Sequence, residues 1–200
     1  MALTLFGSIS WQISDRVAHN LFRPTEYFTY FTITSCLLTG VALTLSGINV
    51  LRNQEESKFM TLFRLTMAAS MVIVGVIYNA LLANSDPDPR DIGYDWPVLP
   101  NLIMHTYMPI LVFLEWLISR TVVSAGVKLK STFWVLVYPL AWLTFAITRG
   151  AITGWWAYWF IDPQYGFPTM AQWILTIAGF FVVLGIGLLP AQKVLARINR

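Results

Sequence analysis

Residues 27–51 read YFTYFTITSCLLTGVALTLSGINVL, a run without a charged side chain that decides the fold class of this chain. A helix needs about 20 mostly apolar residues to cross the roughly 30 Å of hydrocarbon in a bilayer. This run is long enough, and it lacks the strict alternation of apolar and polar residues that a strand of a membrane barrel would show. It therefore predicts a transmembrane helix.

Four more stretches of this kind follow, so the sequence predicts an all-α, polytopic transmembrane helix bundle that forms a single integral membrane domain. The predicted spans cover residues 27–51, 60–85, 97–119, 131–150 and 169–192. Residues 1–14 are also uncharged but short, and they predict either a shortened first span or a hydrophobic helix lying in the interface. Residues 84–97, which contain three prolines, predict an irregular loop.

Composition supports the same class. Hydrophobic residues make up 56% of the chain, charged residues only 12%, and the mean hydropathy is +0.62. Soluble domains carry about a quarter charged residues, so this chain lacks the side chains to cover a water-facing surface. The basic residues are scattered singly, which fits membrane orientation better than a phosphate-binding face and makes the bilayer, not nucleic acid, the expected partner. The single cysteine, Cys36, and two separated histidines predict neither a metal site nor a cofactor.

The loop charges predict an orientation. With a cytoplasmic C-terminus, the cytoplasmic side carries Arg52, Lys58, Arg64, Arg120, Lys128, Lys130, Lys193, Arg197 and Arg200. The opposite side carries only Arg16, Arg23, Arg90 and Arg149. Because basic residues concentrate in cytoplasmic loops, we expect a multi-pass protein of a bacterial inner membrane with its C-terminus in the cytoplasm.

Polar side chains at membrane depth mark candidate functional sites, because they are costly in hydrocarbon. The spans place several of them in one leaflet, with one acid in the adjoining loop: Thr29, Thr32, Asn79, Asn101, His105, Arg149 and Asp162. Asn101 and His105 are four residues apart and share a helix face. Pro109 removes the N–H that would bond the carbonyl of His105, so we expect the helix to open there beside a small polar cavity.

Most of these residues also have an ordinary structural interpretation. Thr29 and Thr32 belong to a stripe of hydroxyls that can bond carbonyls of their own helix. Arg149 can extend to the interface, and Asn79 can hydrogen-bond a neighbouring helix. Glu115 lies towards the opposite side of the membrane, where a structural ion pair or an interfacial position is expected.

Three blocks of sequence carry a family resemblance. They are YFTYFTITS at residues 27–35, the Asn, His-Thr and Pro pattern from Asn101 to Pro109, and GWWAYWFID at residues 154–162. In order and spacing they resemble the androgen-induced gene and androgen-dependent TFPI-regulating protein family of multi-pass membrane proteins, bacterial branch. Animal members are intramembrane threonine hydrolases of fatty acid esters of hydroxy fatty acids. The resemblance implies Thr32, or else Thr29, as nucleophile and His105 as the second catalytic residue.

The resemblance thus implies a hydrolase that cleaves a lipid ester near the outer leaflet. A threonine hydroxyl needs an adjacent base, which His105 would supply. Asn79, Asn101 or Arg149 would bind the substrate or its oxyanion, and Asp162 is the candidate to orient the imidazole. The expected partner is a membrane lipid or fatty ester. The alternative is a non-enzymatic membrane protein that binds a lipid or a partner through the same cavity.

Overall fold

The computed structural model describes residues 1–85, 88–119 and 126–198, and all regular structure within them is helical. The α-helices are α1 (Ala2–Ala18), α2 (Pro24–Tyr27), α3 (Phe31–Leu51), α4 (Lys58–Ile77), α5 (Val98–Leu102), α6 (Met108–Ile118), α7 (Val137–Thr153) and α8 (Phe167–Ile198). The π-helical turns are Tyr78–Leu82 after α4 and Ile103–Tyr107 between α5 and α6. The 3-10 segments are Pro89–Asp91, Leu129–Leu136, Trp159–Ile161 and Pro163–Tyr165. The loop charges Arg120 and Arg200 and the side chain of Arg197 lie outside the described residues.

Five helical stretches are long and apolar enough to cross a bilayer. They are Phe31–Leu51, Lys58–Leu82, Val98–Ile118, Leu129–Thr153 and Phe167–Leu195. These stretches confirm the all-α bundle of five spans, and their bounds lie within a few residues of the predicted ones. The first span begins later than predicted because residues 24–27 form a separate helical turn. The chain is a multi-pass helical membrane protein.

Successive spans run in opposite directions, and we name the two ends of the bundle by one residue each. The Trp96 end carries residues 19–30, 88–97 and 154–166. The Arg64 end carries residues 52–57 and the last turns of α6 and α8. α4 lies at the centre, packed against α3, α6 and α8, and its Leu65, Ala69 and Met71 are fully buried.

The N-terminal helix packs along α3. The Tyr27 hydroxyl donates to Gln12 Oε1 at 3.0 Å, and both side chains are buried. Further along, the Phe6 ring lies so close to Gly40 that a Cβ there would come within 2.6 Å of it. Glycine is therefore required for this close approach. These contacts place α1 beside α3 and not flat across an end of the bundle.

Ion pairs stabilise both ends of the bundle. At the Trp96 end, the Asp91 carboxylate accepts from Arg16 at 3.1 Å and from Arg23 at 2.6 Å. At the Arg64 end, Arg64 contacts the carboxylates of both Glu56 and Glu115. The ion pair expected for Glu115 is therefore present, and it joins α4 to α6.

Candidate functional site

The two π-helical turns lie side by side at the same level of the bundle. The helix opens at His105 as predicted, since Pro109 offers no N–H to the His105 carbonyl. That carbonyl accepts from Asn79 Nδ2 at 3.0 Å, and the same nitrogen donates to the Gly75 carbonyl at 2.8 Å. A Cβ at Gly75 would lie 2.9 Å from Pro109 Cβ, so glycine lets the helices approach. A side-chain amide of the protein thus satisfies the carbonyl that proline leaves without a backbone donor.

The His105 ring is held on two sides. It stacks on the Tyr78 ring with a centroid separation of 3.8 Å, and its Nδ1 lies 3.0 Å from the Asn101 carbonyl oxygen. Because a carbonyl only accepts, the neutral imidazole carries its proton on Nδ1 and a lone pair on Nε2. Nothing in the described part of the chain hydrogen-bonds Nε2. This tautomer has the lone pair that a general base needs.

Both candidate amides are engaged. Asn101 Nδ2 donates to the Tyr78 hydroxyl at 2.5 Å. Asn79 donates both of its side-chain N–H groups, to the carbonyls of Gly75 and His105. In this arrangement it links the two π-helical turns and has no donor left for an oxyanion.

Thr32 lines a cavity of about 90 Å³ between α3, α4, α7 and α8. We call it the Thr32 cavity; its walls include Thr32, Ile77, Tyr78, Trp142, Tyr158 and Ala178. The Tyr158 hydroxyl accepts from the Phe31 backbone N–H at 3.0 Å. Thr32, Tyr78, Tyr158 and Trp142 are the lining residues with polar side-chain atoms, and nearly all of the surface that faces the cavity is apolar. That pattern is typical of pockets that take an apolar ligand and orient it with few polar groups.

His105 lines a different concavity, a groove of about 560 Å³ on the surface between α4 and α6. Asn79, Thr106 and Pro109 share that groove with apolar side chains. Tyr78 lines the Thr32 cavity and stacks on His105, so its ring contacts both regions. Within the described residues no hydrogen bond joins Thr32 to His105.

Thr29 has the structural role that its hydroxyl stripe suggests. Its hydroxyl donates to the Thr25 carbonyl at 2.6 Å, and its own carbonyl accepts from Trp142 Nε1 at 2.9 Å. Thr29 is buried and is not part of the cavity lining, whereas Thr32 is. The geometry therefore separates the two threonines whose register the sequence leaves ambiguous.

Arg149 and Asp162 lie apart from the imidazole. The Arg149 guanidinium lies over the Trp155 ring, 4.7 Å from its centroid, and its Nη2 is 3.5 Å from Thr25 Oγ1. Asp162 accepts from the backbone N–H and side-chain amide of Gln164, at 2.9 and 2.6 Å, and so closes its own turn. The Asn101 carbonyl, not Asp162, orients the His105 ring.

Three tyrosines carry hydrogen bonds that the sequence analysis missed. Tyr78 and Tyr158 line the Thr32 cavity, and the Tyr138 hydroxyl bonds the hydroxyls of Thr34 and Ser35 at 2.8 and 3.0 Å. Tyr78 directly precedes Asn79, which is the one local signal that could have indicated it. Tyrosines near span ends otherwise resemble an ordinary interfacial belt.

No cluster of three or more potential metal ligands occurs among the described residues. Comparison with protein-family models gave no match, and neither the curated proteins nor the solved structures gave one. The function is therefore argued from the site itself.

Proposed function

We propose that this protein binds the acyl chain of a membrane lipid in the Thr32 cavity. The observation that carries the proposal is the composition of the walls, whose surface is almost entirely aliphatic and aromatic. Only about 10–15 Å³ of such space holds one water, so 90 Å³ accommodates a short run of methylene-sized groups. A lipid tail is the apolar ligand that a bilayer supplies at this depth.

Few polar groups border the cavity. Thr32 and Tyr158 line it near the N-terminus of α3, where the Tyr158 hydroxyl accepts from the Phe31 N–H. A hydroxyl both donates and accepts, so Thr32 is the side chain that would hydrogen-bond an ester or carbonyl group of the bound lipid. Buried polar groups of this kind orient a ligand that apolar contacts hold.

Native mass spectrometry of the detergent-purified protein tests the binding. Ala178 lies in the cavity wall on α8, and Ala178→Phe should fill the space and abolish retention of acyl lipids. Leu175→Phe is the matched control, because Leu175 lies on the same helix with 71% of its surface exposed. Equal lipid retention by wild type and folded Ala178→Phe would contradict the proposal.

A second candidate function, ester hydrolysis, is favoured by the tautomer of His105. Its Nε2 lone pair can accept the proton of Thr32 once the Tyr78 ring, which contacts both regions, moves aside. Thr32 Oγ1 would then attack the ester carbonyl carbon, and the proton would pass through His105 to the departing alcohol. Water would finally cleave the acyl-threonine and restore both side chains.

A fluorophosphonate probe tests this reaction. Hydrolysis predicts covalent labelling at Thr32 that persists in Thr29→Ala and disappears in Thr32→Ala and in His105→Ala. Peptide mapping locates the adduct, and thermal unfolding shows that each variant is folded. Undiminished labelling of folded His105→Ala would exclude His105 as the base. Absence of any label together with saturable lipid binding would support lipid binding without hydrolysis.

The proposal also includes the orientation of the protein in the membrane. We infer that the Arg64 end faces the cytoplasm of a bacterial inner membrane, because basic residues concentrate at that end. Cys36 is fully buried, so labelling of an introduced cysteine can be distinguished from labelling of the native one. In intact cells an impermeant maleimide should label Ile92→Cys at the Trp96 end and spare Phe59→Cys at the Arg64 end; both positions are 77% exposed. The reverse pattern would overturn the orientation.

A further inference from the structure

Arg149 differs from the other arginines at the Trp96 end. Arg16, Arg23 and Arg90 each lie within 3.1 Å of a carboxylate oxygen. Among the described residues, no carboxylate lies within ion-pairing distance of Arg149. Its one hydrogen bond is the 3.5 Å contact from Nη2 to Thr25, which is long for such a bond.

The position of the guanidinium does not match simple extension into water. Arg149 is partly buried, and its Nη1 is sealed from solvent without a hydrogen-bond partner in the described part of the chain. Covering a donor of a charged group without a partner is costly. A cation near the C-terminus of α7 is favourable, but that interaction leaves most of its five N–H donors unused. Because Nη1 is covered, an oxyanion would have to approach the edge of the guanidinium formed by Nε and Nη2.

Aromatic rings in contact with one another lie between this guanidinium and the Thr32 cavity. Arg149 lies over Trp155, Trp155 contacts Tyr30 with centroids 5.6 Å apart, and Tyr30 contacts Tyr158 at 5.8 Å. Tyr158 lines the cavity. On α7, Arg149 follows the cavity residue Trp142 by two turns, or about 10 Å. A lipid with its tail in the cavity would extend its polar group towards Arg149.

We infer that Arg149 binds the oxyanion headgroup, a carboxylate or a phosphate, of the lipid whose acyl chain occupies the Thr32 cavity. The inference rests on the acyl binding proposed above. The Nε and Nη2 edge of the planar guanidinium can present two parallel N–H groups to either oxyanion. The protein therefore selects anionic acyl lipids over neutral ones of equal chain length.

Three probes with the same sixteen-carbon chain test the selection: palmitic acid, hexadecyl phosphate and methyl palmitate. A hydrogen bond to a charged group contributes about 1.5–3 kcal/mol, so at least one anionic probe should bind wild type roughly tenfold or more tightly than the ester. Arg149→Gln should bring the affinities within about twofold while leaving ester binding unchanged. Arg90→Gln is the control, because Arg90 carries the same charge at the same end but is already paired.

Each outcome separates the two proposals. An anion preference lost in Arg149→Gln and kept in Arg90→Gln supports the assignment, and the better anion identifies the headgroup. Ester binding without an anion preference, or a preference that persists in Arg149→Gln, overturns the role of Arg149 and leaves the cavity proposal standing. Failure of all three probes to bind overturns both. Displacement by inorganic phosphate alone would show a site for small anions and overturn the lipid assignment.

Discussion

The first two spans and the last two spans are packed differently. In the apolar windows of Phe31–Leu51 and Lys58–Leu82 half of the residues are buried, whereas in Leu129–Thr153 and Phe167–Leu195 only 22% are. Ion pairs lie on the N-terminal side of the bundle: Arg64 of α4 contacts Glu56 and the α6 residue Glu115, and Asp91 pairs with Arg16 of α1. Aromatic side chains join the last two spans to the first, as where Phe31 contacts Tyr138 and Phe181.

We call α1–α6 the first half of the bundle and residues 129–198 the second half. Neutral hydrogen bonds join the two halves. Trp142 Nε1 donates to the Thr29 carbonyl at 2.9 Å, and Trp116 Nε1 donates to the Leu188 carbonyl at 3.0 Å. The Thr32 cavity lies along this boundary, with α3 and α4 on one side and α7 and α8 on the other. A ligand at the boundary can therefore separate the aromatic contacts without breaking a buried ion pair.

The largest expected effect is at the Arg64 end. Arg64→Met would leave the Glu56 carboxylate buried without its cation, which typically costs about 3–5 kcal/mol of stability. We expect a clear fall in the thermal unfolding midpoint followed by tryptophan fluorescence in detergent. Arg52→Met, which removes an exposed arginine at the same end, should change little. Addition of Glu56→Gln to Arg64→Met should recover part of the loss. An unchanged midpoint in Arg64→Met would show that ion pairs do not make the first half more stable than the second.

A smaller loss is expected at the boundary. Tyr158→Phe removes the acceptor of the Phe31 N–H, and an unsatisfied buried donor costs about 1–3 kcal/mol. The unfolding midpoint should fall less than in Arg64→Met. Tyr165→Phe serves as control, since Tyr165 is exposed. A loss in Tyr158→Phe as large as that in Arg64→Met would show that the boundary is as firmly fixed as the first half.

Within the first half, a double-mutant cycle measures one neutral bond. Asn79→Leu removes the donor to the His105 carbonyl and should cost about 1 kcal/mol. In a Pro109→Ala background the backbone N–H can take over that carbonyl, so the same substitution should cost less. Chemical unfolding of the four proteins gives the coupling between positions 79 and 109. Equal costs in both backgrounds would show that positions 79 and 109 are not energetically coupled.

The smallest expected effect is a pH dependence in the loop at the Trp96 end. Hydrogen bonds from the Arg90 side chain, the largest cause, lower the pKa of Asp88 from 3.8 to about 2. Because the folded-state pKa is depressed, the stabilisation is complete above pH 3.8 and is lost as the pH falls through about 2. Asp88→Asn should flatten the decline of the unfolding midpoint below pH 4, measured between about pH 5 and 2. Asp95→Asn, an exposed acid without an ion pair among the described residues, should keep the wild-type slope.

The sequence predicted the spans because each is a long uncharged run, and it predicted the opening at His105 because proline removes one identifiable N–H. It did not predict that Asn79 satisfies the carbonyl, since 26 residues separate the two and only the packing of α4 against α6 joins them. The Arg64 contact with Glu115 was missed for the same reason, across 51 residues. Local rules define the elements, but the residues that meet across them depend on which helix faces pack together.

The depths in the spans predict that Thr32, Asn101 and His105 lie in one leaflet. In the structure Tyr78 lines the cavity with Thr32, hydrogen-bonds Asn101 and stacks on His105. The tyrosine between the Thr32 cavity and His105 was not predicted, because an aromatic residue near a span end gives no sign of the ring it will stack on. Whether Thr32 and His105 form a catalytic pair stays a prediction.

The paired π-helical turns have a consequence for insertions and deletions in this chain. Each π turn accommodates one residue more than the α-helical hydrogen-bond pattern would. Deleting one residue from Ile103–Tyr107 should therefore convert that turn to regular α-helix with little rotation of the segments on either side. The same deletion inside α6 would rotate everything beyond it by about 100°. A one-residue deletion should therefore be better tolerated in the π-helical turn than in α6.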